Sequence, residues 1–285
     1  MTMRTILFFA ANAGVMFAIS ILVSILQATG VLPSGSAHLV QIGLMSLVFG
    51  FAGSIISLFM SKSMAKRSMG VQIITQPSNP TEQWLIDTVA KQSKEAGISM
   101  PEVGVFNNPT MNAFATGASK NKSLVAVSTG LLQGMEKNEV EAVLAHEVCH
   151  AANGDMVTMA LLQGVLNTFV IFIAQLLTGW IRGRGRGRGG GMSMLGHLIY
   201  PILQMGLGFL TSIIASWFSR QREFRADSGA AKLTRAQDMV AALERLQSKE
   251  PPQMPASMAA FGIFGKSKLF STHPPLEARI AALLK

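Results

Sequence analysis

Two uninterrupted apolar runs open the chain. Residues 5–28 ("TILFFAANAGVMFAISILVSILQA") and 39–61 ("LVQIGLMSLVFGFAGSIISLFMS") contain no charged residue, and each exceeds the roughly 20 residues that cross a bilayer as a helix. The first is longer than the apolar core of a cleaved signal peptide, about 7–15 residues, and no A-x-A site follows it, so it reads as an uncleaved anchor. After residue 62 the pattern becomes polar and periodic. "NPTEQWLIDTVAKQSKEAG" (79–97) sets Trp84, Leu85 and Val89 at helical spacing, with Thr81 as the expected cap and Gly97 as the stop. Three short runs follow, "EVGVF" (102–106), "MNAFATG" (111–117) and "SLVAVSTG" (123–130), separated by Asn107-Asn108-Pro109 and by residues 119–122. They predict a small antiparallel sheet. A further helix begins near Asn138, with Glu141 as its third-position acid, and stops at Asn153-Gly154. Two more apolar stretches, 156–181 and 192–218, flank "RGRGRGRGGG" (182–191), and the remainder, 219–285, is polar and helical. Pro274 and Pro275 suit the start of the last helix.

This pattern describes a mainly α-helical membrane protein with an α+β domain carrying a small antiparallel sheet. It divides into two transmembrane helices (1–61), a first part of the polar domain (62–155), a membrane-associated hydrophobic hairpin (156–218) and a second polar part (219–285). Basic residues set the orientation. Arg4 precedes the first run, the connector 29–38 holds no Lys or Arg, and Lys62, Lys66 and Arg67 follow the second run. The positive-inside rule then puts the N-terminus and everything after residue 62 in the cytoplasm. The hairpin argues partly against itself. Full crossing would leave Arg182, Arg184, Arg186 and Arg188 outside, whereas partial insertion lets them meet anionic headgroups. Either way the chain returns to the same side.

Composition adds two constraints. Hydrophobic residues are 49% of the 285-residue chain and charged residues 14%, which favours membrane segments plus a polar domain over one soluble fold. The net charge of +9 is explained by topology, and the Arg-Gly stretch lacks the interleaved aromatics that stack bases, so no nucleic-acid partner is expected. The single cysteine, Cys149, cannot form an intramolecular disulfide, and it reads as a small buried residue.

The chemistry gathers at "AVLAHEVCHAANGD" (142–155). On a helix, His146 and His150 share one face and can converge on one ion, while Glu147 lies beside them within reach of a water. Val140, Leu144, Val148 and Ala151 form an apolar face about 100° away that can seat the helix in a core. A catalytic zinc takes three protein ligands and leaves one position open. "REFRAD" offers Glu223 as the third ligand and, four residues on, Asp227 as an acceptor for the far nitrogen of a metal-bound histidine. His273, in "STHPPLEAR", competes for the third position. It also suits a donor to an oxyanion, with Arg279 nearby. Lys137, Glu139 and Glu141 lead into the motif helix and argue against burying it in lipid, since charge at membrane depth is costly. A closed structural zinc in a non-enzymatic adaptor would need a fourth protein ligand, and Cys149 cannot easily share an ion with both histidines of its own turn.

Two membrane segments, "NAFATG", "HEVCH" followed by "NGD", "REFRAD" and "STHPPLEAR", in this order, resemble the bacterial HtpX membrane metalloproteases, gluzincin relatives of the CAAX prenyl proteases. The resemblance runs over essentially the whole chain. It implies a zincin-like catalytic domain with one zinc per subunit bound by His146, His150 and Glu223. Glu147 would be the general base and Asp227 the partner of a zinc histidine. His273 and Arg279 would lie near the oxyanion, and Asn112 and Ala113 would hold the substrate backbone. The implied activity is endopeptidase cleavage of misfolded or damaged membrane proteins, in quality control and stress response, at the cytoplasmic face of the bacterial inner membrane. An intramembrane or CAAX-type protease is the alternative. Cys149 departs from the small residue, such as serine, that the family pattern suggests there.

Overall fold

The computed structural model describes residues 37–184, 191–247 and 271–285, with scattered positions between Gly14 and Thr29. The first apolar run falls largely outside the described residues, and so do 185–190 of the Arg-Gly stretch. The elements are α1 (Ala37–Met69), β1 (Gln72–Ile73), α2 (Pro80–Glu95), β2 (Glu102–Phe106), β3 (Ala113–Ser119), β4 (Lys122–Ser128), α3 (Thr129–Gly134), α4 (Lys137–Asn153), α5 (Asp155–Arg184), α6 (Gly191–Leu233), α7 (Ala236–Gln247) and α8 (Leu276–Leu283). They fall into two compact units, Met1–Ser57 with Ala160–Ile214, and Leu58–Met159 with Ala215–Lys285.

The first unit is made of apolar helix. Among the described residues three helices are long and apolar enough to cross a membrane, Leu39–Met69, Asp155–Ile181 and Leu198–Leu233. α1 and α5 approach closely because Gly50 faces Thr168: a Cβ at Gly50 would stand 2.4 Å from Thr168 Oγ1 and 2.6 Å from its backbone nitrogen. Small residues at such crossings let helices pack where no hydrophobic drive separates protein from lipid. Phe172 is fully buried against Ile42, Leu47, Val165 and Phe169. Val40, Leu44, Val48 and Phe49 are exposed on α1, as are Leu198, Ile202, Met205 and Phe209 on α6. Such apolar exteriors suit lipid as the surrounding solvent.

The second unit holds one four-stranded sheet in the order β1-β2-β4-β3. The sheet is mixed, which corrects the antiparallel expectation. β2 runs parallel to β4, with Val103 opposite Val125, while β1–β2 and β3–β4 are antiparallel. The chain after Asn107-Asn108-Pro109 passes the place beside β2 before turning back. β3 and β4 then close as a hairpin with β4 on the inside, and β3 becomes an edge strand. β1, only two residues long, carries too little pattern to be read from sequence.

α4 lies against this sheet and against α2 and α7. Its apolar face behaves as the spacing requires: Val140, Leu144, Val148 and Ala151 are all buried, and the first three join a core with Leu85, Val89, Val125 and Leu243. Polar contacts fix its rotation. Trp84 Nε1 donates to Glu141 Oε1 at 3.1 Å and Gln92 Nε2 to the Glu141 carbonyl at 2.8 Å. Two caps differ from those expected. Asn79, not Thr81, caps α2, its Oδ1 accepting from Glu82 N at 2.9 Å, because Pro80 starts the helix. α4 begins two residues early, at Lys137 with Glu136 as its cap, the Glu136 N–H donating to Glu139 Oε2 at 2.9 Å. Its end is as expected, with Gly154 in the left-handed conformation at φ 69°.

Cys149 packs on α6 where Gly229 lacks a side chain: a Cβ there would meet Sγ at 2.6 Å and Cys149 Cβ at 3.2 Å. Burial pushes the Cys149 thiol up to about 11, and the carboxylates of Asp155, Asp227 and Glu147 add to the shift, so it holds its proton at neutral pH. The close approach gives a stability prediction. Overpacking here costs about 1–3 kcal/mol, more than the roughly 1 kcal/mol that alanine gains over glycine in a helix. Gly229→Ala should therefore lower Tm in detergent, and adding Cys149→Ala should restore much of the loss. Additive losses in the double variant would show that this contact does not set the spacing of α4 and α6.

Candidate metal centre

Three elements of the second unit converge on α4. α4 itself brings His146 and His150. The C-terminal half of α6, one continuous helix through the boundary expected between apolar hairpin and polar tail, brings Glu223 and Asp227. The segment 271–275 and α8 bring His273 and Arg279. Arg220 ties that segment to α6, its Nη1 donating to the Ser271 carbonyl at 2.9 Å, and Ser271 Oγ donates to the His273 carbonyl at 2.6 Å.

The imidazoles face each other with Nε2 atoms 3.1 Å apart. His146 Nε2 lies 3.5 Å from Glu223 Oε2, and His150 Nε2 lies 3.4 Å from Glu223 Oε1. Ligand atoms of His146, His150 and Glu223 all fall within 4.8 Å of one another. Three ligands at about 2.0–2.1 Å from one tetrahedral ion stand about 3.3 Å apart, and the three separations, the two to Glu223 ending on different carboxylate oxygens, are close to the edges of that figure. Two ring nitrogens aimed at one point bring their lone pairs together, an arrangement that a cation between them relieves.

The opposite ring nitrogens are held by carboxylates. His146 Nδ1 is 2.9 Å from Asp227 Oδ1, and His150 Nδ1 is 2.7 Å from Asp155 Oδ2. Hydrogen bonds of this kind fix the tautomer and leave Nε2 as the metal-facing atom. Asp227 is itself gripped by Arg279, whose Nε donates to Oδ2 at 2.8 Å and Nη2 to Oδ1 at 2.6 Å. Arg279 is only 2% exposed. Burial works against its charge, but the Asp227 and Glu223 carboxylates outweigh burial and raise its pKa. His273 Nδ1 sits 2.8 Å from Glu223 Oε2. Burial likewise lowers the basicity of both motif histidines and is overcome. Hydrogen bonds to Asp227 and Glu223 raise His146, and those to Asp155 and Glu223 raise His150 to about 10.

Glu147 is buried and makes no hydrogen bond or ion pair among the described residues, while its charge is felt at His150 and Arg279. Asn112 and Ala113 are buried at the start of β3, the strand against which α4 packs. The Asn112 carbonyl accepts from Ser128 N at 2.8 Å, and its N–H donates to Ser128 Oγ at 2.9 Å. The outer edge of β3 has no strand partner among the described residues.

Residues 79–285 match the profile of peptidase family M48. The chain belongs to peptidase family M48. It is 54% identical over 290 residues to Protease HtpX of Aeromonas salmonicida, covering 98% of this chain and 99% of the relative. It is 53% identical to Protease HtpX of Tolumonas auensis over 288 residues, with 98% of each chain covered. It is 52% identical to Protease HtpX of Haemophilus influenzae over 285 residues, with 99% of each covered. The crystal structure of S. mikatae Ste24p aligns with a TM-score of 0.60 at 17% identity, covering 92% of this chain and 66% of that one, a likeness of fold. This M48 peptidase is a membrane metalloprotease.

One side chain of the centre escaped the sequence reading. Asp155 was legible only as the residue after a helix stop. The left-handed turn at Gly154 swings the chain so that Asp155, first residue of α5, returns to His150. The available signal was an acid at the head of a helix, five residues beyond a candidate ligand. Removing a partner of this kind costs about 10–100-fold in metal affinity. Asp155→Ala should lower affinity by that order in a chelator competition, with folded helix content retained. An unchanged affinity would leave Asp155 as a helix-start residue only.

Proposed function

We propose that this peptidase is a zinc-dependent endopeptidase, anchored in the bacterial inner membrane, that hydrolyses misfolded or damaged membrane proteins on the cytoplasmic side. The observation that carries the reading is the triangle of His146 Nε2, His150 Nε2 and the Glu223 carboxylate, with edges of 3.1, 3.4 and 3.5 Å. These three residues hold the metal. Bound zinc supplies Lewis acidity toward the scissile carbonyl and acidifies water. Glu147 takes the proton of the attacking water and delivers it to the amide nitrogen as the C–N bond breaks. His273, held by the contact of its Nδ1 with Glu223, is the side chain beside the metal site that is placed to assist the developing oxyanion. Arg279 acts through Asp227, whose carboxylate orients His146. Its expected place near the oxyanion therefore becomes a positioning role.

The outer edge of β3, which begins at Ala113, supports a substrate strand laid alongside it, because a sheet edge offers main-chain donors and acceptors to any extended peptide; the main chain of Asn112 is engaged by Ser128, which holds the start of that edge in place. That mode reads backbone, not side chains, and suits substrates defined by being unfolded. The cytoplasmic assignment rests on Arg4, Lys62, Lys66 and Arg67 flanking the first two runs. The test uses the full chain in proteoliposomes with one multi-pass substrate in folded and destabilised forms. Zinc-loaded protein should cleave the destabilised form at least tenfold faster, and chelation should stop both reactions. Equal cleavage of the two forms would remove the quality-control reading. Cleavage that persists in full after chelation would remove the metal.

A further inference from the structure

On the face of α6 turned away from the metal centre, a groove of about 670 Å³ runs beside the end of α4. Its position on the helix follows from the sequence. Leu198, Ile202, Met205, Phe209, Ile214 and Trp217 are exposed apolar residues along α6, and Trp217, 56% exposed, is the last of them. Charge begins three residues later. Of the three arginines that follow, Arg220 is tied to Ser271 and Arg222 to Ser219 and the Asp155 carbonyl. Arg225 alone turns outward. It lines the groove with Phe218, Phe224, Asn153, Ser228 and Lys232, and no carboxylate lines it. Neither Arg225 nor Lys232 has a hydrogen bond or ion pair among the described residues, and both are exposed.

We infer that this groove binds the headgroup of an anionic phospholipid. An exposed tryptophan at the end of an apolar helical run marks the interfacial level of the bilayer. Arg225 lies eight residues further, about 12 Å along the axis. Side chains on a helix lean toward its N-terminus, so the guanidinium swings back toward Trp217. It thereby reaches the headgroup layer, which extends about 5–7 Å beyond the hydrocarbon. Phe218, next to Trp217, offers apolar surface for the glycerol and upper acyl carbons, while Arg225 forks onto the phosphate and Lys232, further along the helix, adds only a long-range field. Glu223 and Asp227 lie on the opposite face of the helix, so the lipid site and the metal centre are separate.

The test uses the full chain in mixed micelles of phosphatidylcholine and phosphatidylglycerol, with native mass spectrometry counting the lipids retained. Phosphatidylglycerol should be held in preference to phosphatidylcholine. R225Q/K232Q should bind it at least roughly fivefold more weakly, the loss expected for one cation at an anionic surface. K91Q/K94Q, which removes the same charge from exposed positions on α2, should bind as the parent does. Inorganic phosphate should not displace the lipid. Equal retention of the two lipids, equal weakening by K91Q/K94Q, or displacement by phosphate would each overturn the assignment.

Discussion

Glu147→Gln should abolish peptide hydrolysis and leave the metal in place. Glu147 follows His146 on α4 and belongs to no edge of the triangle that His146, His150 and Glu223 form. Its amide replacement is nearly the same size and disturbs neither the buried Val140–Leu144–Val148 face nor the two carboxylate–histidine pairs. What is lost is the basic oxygen that accepts a proton from water and returns it to the leaving nitrogen. A positioned acid–base group contributes about 10²–10⁴-fold to a rate, so kcat should fall by about 10³-fold, with metal content of the purified protein unchanged. If the variant also loses its metal, Glu147 is part of the coordination sphere and the division of roles is wrong. If it cleaves at the parent rate, proton transfer is handled elsewhere.

Glu223→Gln should act differently, removing the metal and weakening the fold. Its carboxylate is 1% exposed and lies within 2.8 Å of His273, 3.6 Å of Arg279 and 3.5 Å of both motif histidines or closer. A neutral amide is a poor zinc donor, so stoichiometric binding should disappear and activity with it. The same change withdraws a negative charge from among buried cationic and polar partners. Breaking a buried pair on one side typically costs about 3–5 kcal/mol, here moderated because Asp227 still holds Arg279. The expected signature is a lower Tm in the metal-free state relative to the metal-stripped parent. A variant that binds zinc as tightly as the parent would move the third ligand to His273, the competing candidate in "STHPPLEAR".

The contrast between the two variants rests on spacing that local sequence makes visible. Residues four apart on a helix share a face, so His146 with His150, and Glu223 with Asp227, can be paired without knowing the tertiary structure. The apolar face at Val140, Leu144 and Val148 is legible for the same reason. What could not be read depends on where the chain goes after an element ends. Asp155 reaches His150 only through the left-handed turn at Gly154. The order of strands in the sheet depends on β4 entering between β2 and β3, which no turn residue encodes. Arg279 was legible as a helix cation but not as the clamp on Asp227, because that contact joins residues 52 positions apart. Caps slipped by a residue or two where Pro80 and Glu136 offered competing starts. The boundary in polarity at residue 218 falls inside one continuous helix, Gly191–Leu233, because nothing between Phe218 and Ser219 interrupts a helix. A change in polarity is not a change in backbone.

The claim beneath all of this is that one zinc ion sits between His146, His150 and Glu223. Zinc-edge anomalous diffraction from crystals of the full chain measures it directly. A single strong peak is expected about 2.0–2.1 Å from both Nε2 atoms and from a Glu223 carboxylate oxygen. A peak elsewhere in the molecule, or fully zinc-supplemented crystals with none between these side chains, would contradict it.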